Sequence, residues 1–423
     1  MRRHRVRMAS LAAPGRYSFV GGPFGSKLTS TDYVAEGVRV IRGANMGGPS
    51  RFIDGDFVFV SDSKADTLLS NMAYPGDLVF TQRGTLGQIA LVPPATDLGD
   101  RFVVSQSQMK LTVDPTTADP RYLYYYFTSA ELIEELKARA ITSGVPHINL
   151  TILRDFEVEL PDIGHQCRIA DILSAYDDLI ENNNRRMALL EESIHLLYRE
   201  WFVYLRFPGH ERVEAVDGVP EGWSFTSLED LCVEDSGVQT GPFGSQLHRS
   251  DYTDEGVPVV MPKQMKGNVV TTEGIARIPP TLANRLARHL VEEGDILYAR
   301  RGDITRRVFV SSRERGWFCG TGCLRLRPKA DVVEPRFLFE ALGTARALAA
   351  IHAQATGATM LNLSAKAMKR VAVLMPPKGL QADFTGYSRL VKAQVEGLQE
   401  QNQKLREARD LLLPRLMDGR IPV

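Results

Sequence analysis

Two short loops hold the side chains best suited to gripping a polar or charged partner. Gln82-Arg83-Gly84-Thr85 and Arg300-Arg301-Gly302-Asp303 each follow a β-leaning run. A guanidinium offers a planar fork of donors, and a primary amide sets a donor beside an acceptor. At a strand end either group can reach base edges bidentately or hold phosphate oxygens. Solvated loop charge is the competing reading. Lys27, Arg42, Lys263 and Lys266 are further basic positions, and with Gln82, Arg83, Arg300 and Arg301 they make up the candidate DNA contacts. Upstream of each set runs Gly-Pro-Phe-Gly-Ser, at residues 22–26 and 241–245. Glycine removes the Cβ and proline fixes φ, so this turn either faces a ligand closely or is a tight corner whose Phe24 or Phe243 plugs the core. The plug is the more ordinary use of the ring and is the expectation.

Bond-making machinery is not in view. The sequence contains no G-x-x-x-x-G-K-[ST] phosphate loop, no H-E-x-x-H, no G-x-S-x-G and no [ND]-P-P-[YF]. Glu135-Leu136-Lys137 matches the tail of a nuclease E-x-K, but it lies in a helical stretch without a well-placed upstream Asp and reads as a solvated helix face. His147 has no carboxylate near it in sequence and reads as a loop residue. Cys319 and Cys323 lack the accompanying His or Cys pair of a zinc site, so the four cysteines read as reduced thiols. The aromatic run Tyr122 to Phe127 suggests a base-stacking platform. On a helix, however, its rings point all round, and helix packing accounts for them better.

The elements that position these loops occur twice. Residues 22–46 and 241–265 are identical at thirteen of twenty-five positions without a gap, at an offset of 219. Gly76-Asp77 with Arg83-Gly84 returns as Gly294-Asp295 with Arg301-Gly302, and Pro120-Arg121-Tyr122-Leu123 as Pro335-Arg336-Phe337-Leu338. Gly144 with Asn149-Leu150 matches Gly357 with Asn362-Leu363 at an offset of 213, and Gly164 and Gln166 match Gly379 and Gln381 at 215. A drifting offset is what loop insertions do to a tandem duplication. Polar residues at the loop tips differ between copies: Lys27 against Gln246, Arg42 against Met261. Two modules reading different sequences would look like this, and so would drift.

Each copy opens with about 140 residues of short β-leaning runs mixed with helical stretches such as Arg121 to Ala140, and closes in a long helix. In the first helix the apolar positions run Ile169, Leu173, Tyr176, Ile180, then Met187, Leu190, Ile194, Leu197, Trp201, with Asn183 in the one polar slot. In the second they run Phe384, Ser388, Val391, Val395, Leu398, Asn402, Leu405, Arg409, Leu412, Leu416. This four-three spacing indicates a coiled-coil seam. Aligned antiparallel, Asn183 and Asn402 share one layer, and each layer pairs residues whose numbers sum to 585. A buried Asn satisfies its amide against another Asn far better than against an aliphatic chain, which makes this pair a register device. Pro414 should kink the second helix or loosen its last turns.

The expected architecture is α+β, with duplicated domains over 1–160 and 210–376, long helices over 161–209 and 377–423, and a pseudo-twofold relation between the copies. Fifty-one basic residues balance fifty-one acidic ones, which excludes a whole-chain basic field. Nucleic-acid binding then has to come from local clusters or from partners that add positive charge. No run of about eighteen apolar residues occurs, and the basic start lacks a signal peptide's apolar region. The cytoplasm is the expected location.

In this order, the doubled Gly-Pro-Phe-Gly-Ser-x-Leu, the Arg-Gly loop after Gly-Asp, Leu160-Pro161 with Gln166, Trp201-Phe202 with Phe207-Pro208-Gly209, Pro220-Glu221-Gly222-Trp223 and Leu412-Leu413-Pro414-Arg415-Leu416 carry a resemblance. The chain resembles the specificity subunit of type I restriction–modification enzymes over nearly its whole length. The resemblance implies two target-recognition domains, each reading half of a bipartite site in double-stranded DNA, with helices that set the spacer and dock two methyltransferase subunits. Nuclease/translocase subunits join that core, and S-adenosylmethionine, ATP and Mg²⁺ belong to the partners. The subunit itself is then non-catalytic. The first copy departs from the pattern, with a basic Met1 to Arg7 stretch where the second has Pro-Glu-Gly-Trp. The alternatives are a self-contained restriction–methylation enzyme, which needs the missing motifs, and a coiled-coil scaffold without a DNA role.

Overall fold

A computed structural model describes residues 2–48, 50–94, 98–142, 144–244, 246–357 and 361–423. The chain forms two compact units, Met1–Arg186 with Gly397–Val423, and Met187–Glu396. The long helices Ile163–Tyr198 and Lys378–Met417 each contribute one part to each unit.

In the first unit a four-stranded sheet runs Phe19–Gly21, Gln108–Leu111, Leu78–Thr81, Ile89–Leu91 in spatial order, antiparallel throughout. Alternate residues of the strand Leu78–Thr81 serve different cores, as strand geometry requires. Leu78 and Phe80 pack toward Tyr122, Leu123 and Phe127 on the helical side. Val79 packs with Phe102 and Val104 of a second sheet, in which Val38–Ile41 lies parallel to Phe102–Val104. The second unit repeats the four-stranded order with Val238–Thr240, Cys323–Leu326, Ile296–Ala299 and Arg307–Phe309. There Ile296 and Tyr298 face the helical core, while Leu297 and Ala299 join a separate cluster. The strand Val257–Val260 runs parallel to Phe318–Cys319 in the matching place.

Three local outcomes differ from the sequence expectations. The helical stretch from Arg121 breaks into Pro120–Phe127 and Ala130–Ala138, because Thr128 turns its hydroxyl back to the Tyr125 carbonyl and Ser129 is extended. Tyr122, Tyr125 and Phe127 of the first piece are buried, so packing uses these rings. Although it lacks Pro-Glu-Gly-Trp, the basic start forms the strand Arg3–Arg7 against Glu157–Pro161, with Arg5 paired to Glu159 at 2.8 Å. Its counterpart is Ser224–Ser227 against Ala372–Met375. The Asn-Leu match at 213 is two residues out of step. His147 bridges to Arg83 and Ile141 as Asn362 bridges to Arg301 and Thr356. Asn149 caps one short helix as Ser364 caps the other. Either side chain serves a helix start, so identity there is a poor guide to alignment.

Within the first unit the two long helices run antiparallel, with Asn183 against Asn402 and Asp177 against Arg409. Within the second, Glu191 meets Lys392 and Tyr198 meets Phe384. The second helix passes through Pro414 to Met417, and Leu416 and Met417 are buried in the core of the first unit. Each helix is tied at its start by a buried glutamine. Gln166 accepts from the Asp119 amide and donates to the Pro161 carbonyl, and Gln381 does the same with Glu334 and Pro376.

Candidate nucleic-acid interface

One turn organises each candidate interface. In the first unit it is Ser105–Gln108, between the strands Phe102–Val104 and Gln108–Leu111. The Gly22 amide donates to the Gln108 carbonyl at 2.8 Å, the Gln82 amide donates to the Ser107 carbonyl at 2.7 Å, and the Ser105 amide donates to the Ile41 carbonyl at 2.9 Å. These bonds gather the Gly-Pro-Phe-Gly loop, the Gln82–Arg83 loop and the Arg42 loop at one end of the sheet. The second unit repeats them around Gly320–Cys323. Gly241 donates to Cys323, Arg300 to Gly322, and Gly320 to Val260, each at 2.9 Å. The three bonds of each cradle run between backbone atoms, which frees the side chains to differ.

The cradle explains the doubled glycine. A Cβ on Gly22 would lie 1.8 Å from the Ser105 carbonyl oxygen, and one on Gly241 would lie 1.9 Å from that of Gly320. No other residue allows this approach. Pro23 and Leu28 are buried on either side of the loop, as are Pro242 and Leu247. Phe24 between them is 78 % exposed and Phe243 62 % exposed. The expected core plug is therefore wrong. The glycine approach forces the chain outward at once, and the buried proline takes the place the ring would have filled. Ser245, in the same motif, lies outside the described residues.

The polar candidates divide by exposure. Lys27, Arg83, Lys263, Lys266 and Arg301 are exposed, and the backbone of Arg83 is held by its bridge to His147. Arg42 is half-buried and donates to the Asp56 carbonyl at 3.2 Å. Gln82 is only 9 % exposed, so its amide sits beneath the rim. Arg300 at the matched position is 8 % exposed, with Nη2 3.5 Å from Oδ1 of Asn362 and its guanidinium carbon 6.0 Å from the Phe243 ring centre. Among the described residues no carboxylate pairs with it, and its Nε has no hydrogen-bond partner. Burial, and then the neighbouring Arg301, lower its pKa from the ordinary guanidinium value.

The remaining chemical candidates serve the fold. Asp77 accepts from Lys110 at 3.1 Å and Asp295 from Arg327 at 2.8 Å, so the repeated Gly-Asp supplies a buried anion to a cation on the neighbouring strand in one unit and just past its end in the other. Glu135 pairs with Arg139 and Lys137 with Glu134 on an exposed helix face. Cys319 and Cys323 are buried; burial pushes the Cys319 thiol up to about 12 and raises that of Cys323 well above its ordinary value. Among the described residues no cluster of three or more His, Cys, Asp or Glu is placed to hold a metal ion. Among them, too, no helix is long and apolar enough to cross a membrane.

Residues 69–192 match the family model described as the type I restriction modification DNA specificity domain. The chain is 24 % identical over 360 residues to the type I restriction enzyme MjaIX specificity subunit of Methanocaldococcus jannaschii, covering 82 % of this chain and 78 % of that one. The chain is similar to type I restriction–modification specificity subunits over most of its length. The HindI specificity subunit of Haemophilus influenzae is 23 % identical over 411 residues, covering 82 % of this chain and 86 % of that relative. The solved S subunit of a type I restriction-modification system from M. genitalium shares the fold, with a TM-score of 0.54 at 17 % identity over 98 % of this chain and 96 % of that one. In this chain the doubled cradle is the feature that the sequence motifs encode.

Proposed function

We propose that each unit reads one half of a bipartite site in double-stranded DNA through the loops gathered on its cradle. The observation that supports this is the repeated set of three backbone bonds, which brings exposed cations to the same end of both sheets: Lys27 and Arg83 in one, Lys263, Lys266 and Arg301 in the other. The chain is the non-catalytic member of its complex. On this reading the two long helices set the spacer and dock two methyltransferase subunits, and nuclease/translocase subunits join that core. S-adenosylmethionine, ATP and Mg²⁺ belong to those partners. The zero net charge accords with partners that supply much of the phosphate attraction.

The test is a salt-dependent shift assay on duplex DNA with the chain alone and with its methyltransferase subunits. The assembled complex should bind one sequence, and Arg301→Ala should weaken that binding by roughly 1–3 kcal/mol if the side chain reads a base. Unchanged methylation of the site by the R301A complex would remove Arg301 from the interface. A complex that binds no duplex above the methyltransferase alone would favour the scaffold reading.

A further inference from the structure

We propose that Phe24 and Phe243 are apolar wedges that stack on the bases of the two half-sites, one from each cradle. This rests on the DNA-reading role above and adds a contact that the charged residues do not supply.

Three observations carry it. Phe24 is the most exposed large apolar side chain among the described residues, and these two are the only phenylalanines there above half exposure. The feature occurs twice, at matched positions. Both rings ride on a framed loop. The buried Pro23 and Leu28 bracket the exposed residues 24–27, and Gln106 Nε2 donates to the carbonyls of Gly25 at 2.8 Å and Leu28 at 2.7 Å. In the second copy Pro242 and Leu247 bracket the ring, and the Gln246 amide donates to the Phe243 carbonyl at 2.8 Å. The rings therefore cannot fold back into a core without breaking the cradle.

A rigid, solvent-facing ring is of use when another surface covers it, and the charges nearby favour a polyanion. Lys27 follows Phe24 by three residues and is exposed. Beside Phe243 stands Arg300, nearly buried and without a carboxylate among the described residues, so its counter-charge has to come from outside the chain. A ring flanked by a cation matches the way proteins kink or unstack a duplex, with an apolar side chain at a base step and a cation on the adjoining phosphate. A protein partner would be answered by an apolar rim around each ring, whereas the residues after the rings are Gly25, Ser26 and the exposed Lys27 in one loop, and Gly244 and the half-buried Gln246 in the other.

The test uses the full chain assembled with its methyltransferase subunits, and duplexes bearing the site mapped from host genome methylation. 2-Aminopurine is placed at successive positions of each half-site. The wild-type complex should raise 2-aminopurine emission at one step per half-site. Phe24→Ala should abolish the rise in one half-site and Phe243→Ala in the other, each weakening binding roughly ten- to a hundredfold. If the wild-type complex binds tightly with no rise in emission, or if both variants bind and methylate normally, the wedge is overturned while the DNA-reading role stands. If the variants fail to assemble with the methyltransferase, the rings face protein and the wedge is overturned. If the wild-type complex shows no sequence-selective binding at all, both readings fall together.

Discussion

The side-chain amide of Asn183 donates to Oδ1 of Asn402 at 2.9 Å, between two helices that run antiparallel. Both residues are almost fully buried, and each has a second amide partner: Gln401 for Asn183 at 3.1 Å and Asn184 for Asn402 at 2.9 Å. Each is the Asn of its own seam, so sliding one helix by a heptad would part them, setting Asn183 against Val395 and Asn402 against Tyr176 one way, or Asn183 against Arg409 and Asn402 against Leu190 the other. Asn183→Leu or Asn402→Leu alone strands a buried amide and should cost roughly 1–3 kcal/mol. The double variant should recover most of that loss, because neither amide is then left without its partner. Urea unfolding of all four proteins gives the coupling directly. Additive losses would show that the two asparagines do not hold each other.

A second polar slot, Arg409, looks like a defect in an apolar seam until its surroundings are known. Its guanidinium meets the buried carboxylate of Asp177, which also accepts from the Tyr125 hydroxyl at 2.5 Å. Asp177→Asn leaves Arg409 only the exposed carboxylate of Asp410, 2.8 Å away, and should cost roughly 3 kcal/mol, while replacing both by apolar residues should cost much less. A single variant as stable as the wild type in thermal unfolding would mean that Asp410 and water suffice for Arg409.

The duplication and the seam were legible because both write themselves in residue types at fixed spacing. The cradle was not. Its acceptors are the carbonyls of Gln108, Ser107 and Ile41 and of Cys323, Gly322 and Val260, and a carbonyl leaves no side-chain signature. The same gap misplaced Phe24 and Phe243, since Gly-Pro-Phe-Gly fixes a turn without saying which side faces the core. Gln82 and Arg300 were legible as a matched pair, but their burial depends on the loops packed above them. The Asn149 match failed because a capping site accepts Asn or Ser alike.

Two histidines of the second unit should tilt its stability in opposite directions with pH. Burial, and then Arg288 and Arg325, hold His289 down to about 4, against an ordinary 6.5. Between those values the unfolded chain takes up a proton that the folded chain refuses, so this contribution is whole above about pH 6.5 and falls as pH drops toward 4. A hydrogen bond to Glu340 raises the pKa of His195. Its contribution is whole below about pH 6.5 and is lost as pH rises through the raised value. Melting temperature against pH should therefore lose part of its acid slope in His289→Gln and part of its alkaline slope in His195→Gln. Identical pH profiles for wild type and both variants would rule out these linkages.

Two glycines three residues apart in the same loop should behave differently. A Cβ at position 241 meets the Gly320 carbonyl oxygen at 1.9 Å, and backbone cannot yield as a side-chain tip does. Gly241→Ala must push apart the loop and the turn that also anchors Arg300, at a cost of roughly 1–3 kcal/mol or more. Gly244 has nothing within 4 Å of its Cβ position and an ordinary φ, so Gly244→Ala should stay within about 0.5 kcal/mol of wild type. Gly22→Ala should repeat the first result in the other unit, because its Cβ position is as close to the Ser105 carbonyl. In the assembled complex, G241A and G22A should lose duplex affinity as well as stability, since the displaced turn carries the Arg and Lys loops with it. G244A keeps the cradle intact and should bind as wild type does. Thermal unfolding and a shift assay on the same three proteins decide the matter. Equal stability of G241A and G244A would show that the cradle is not the rigid frame of the loops.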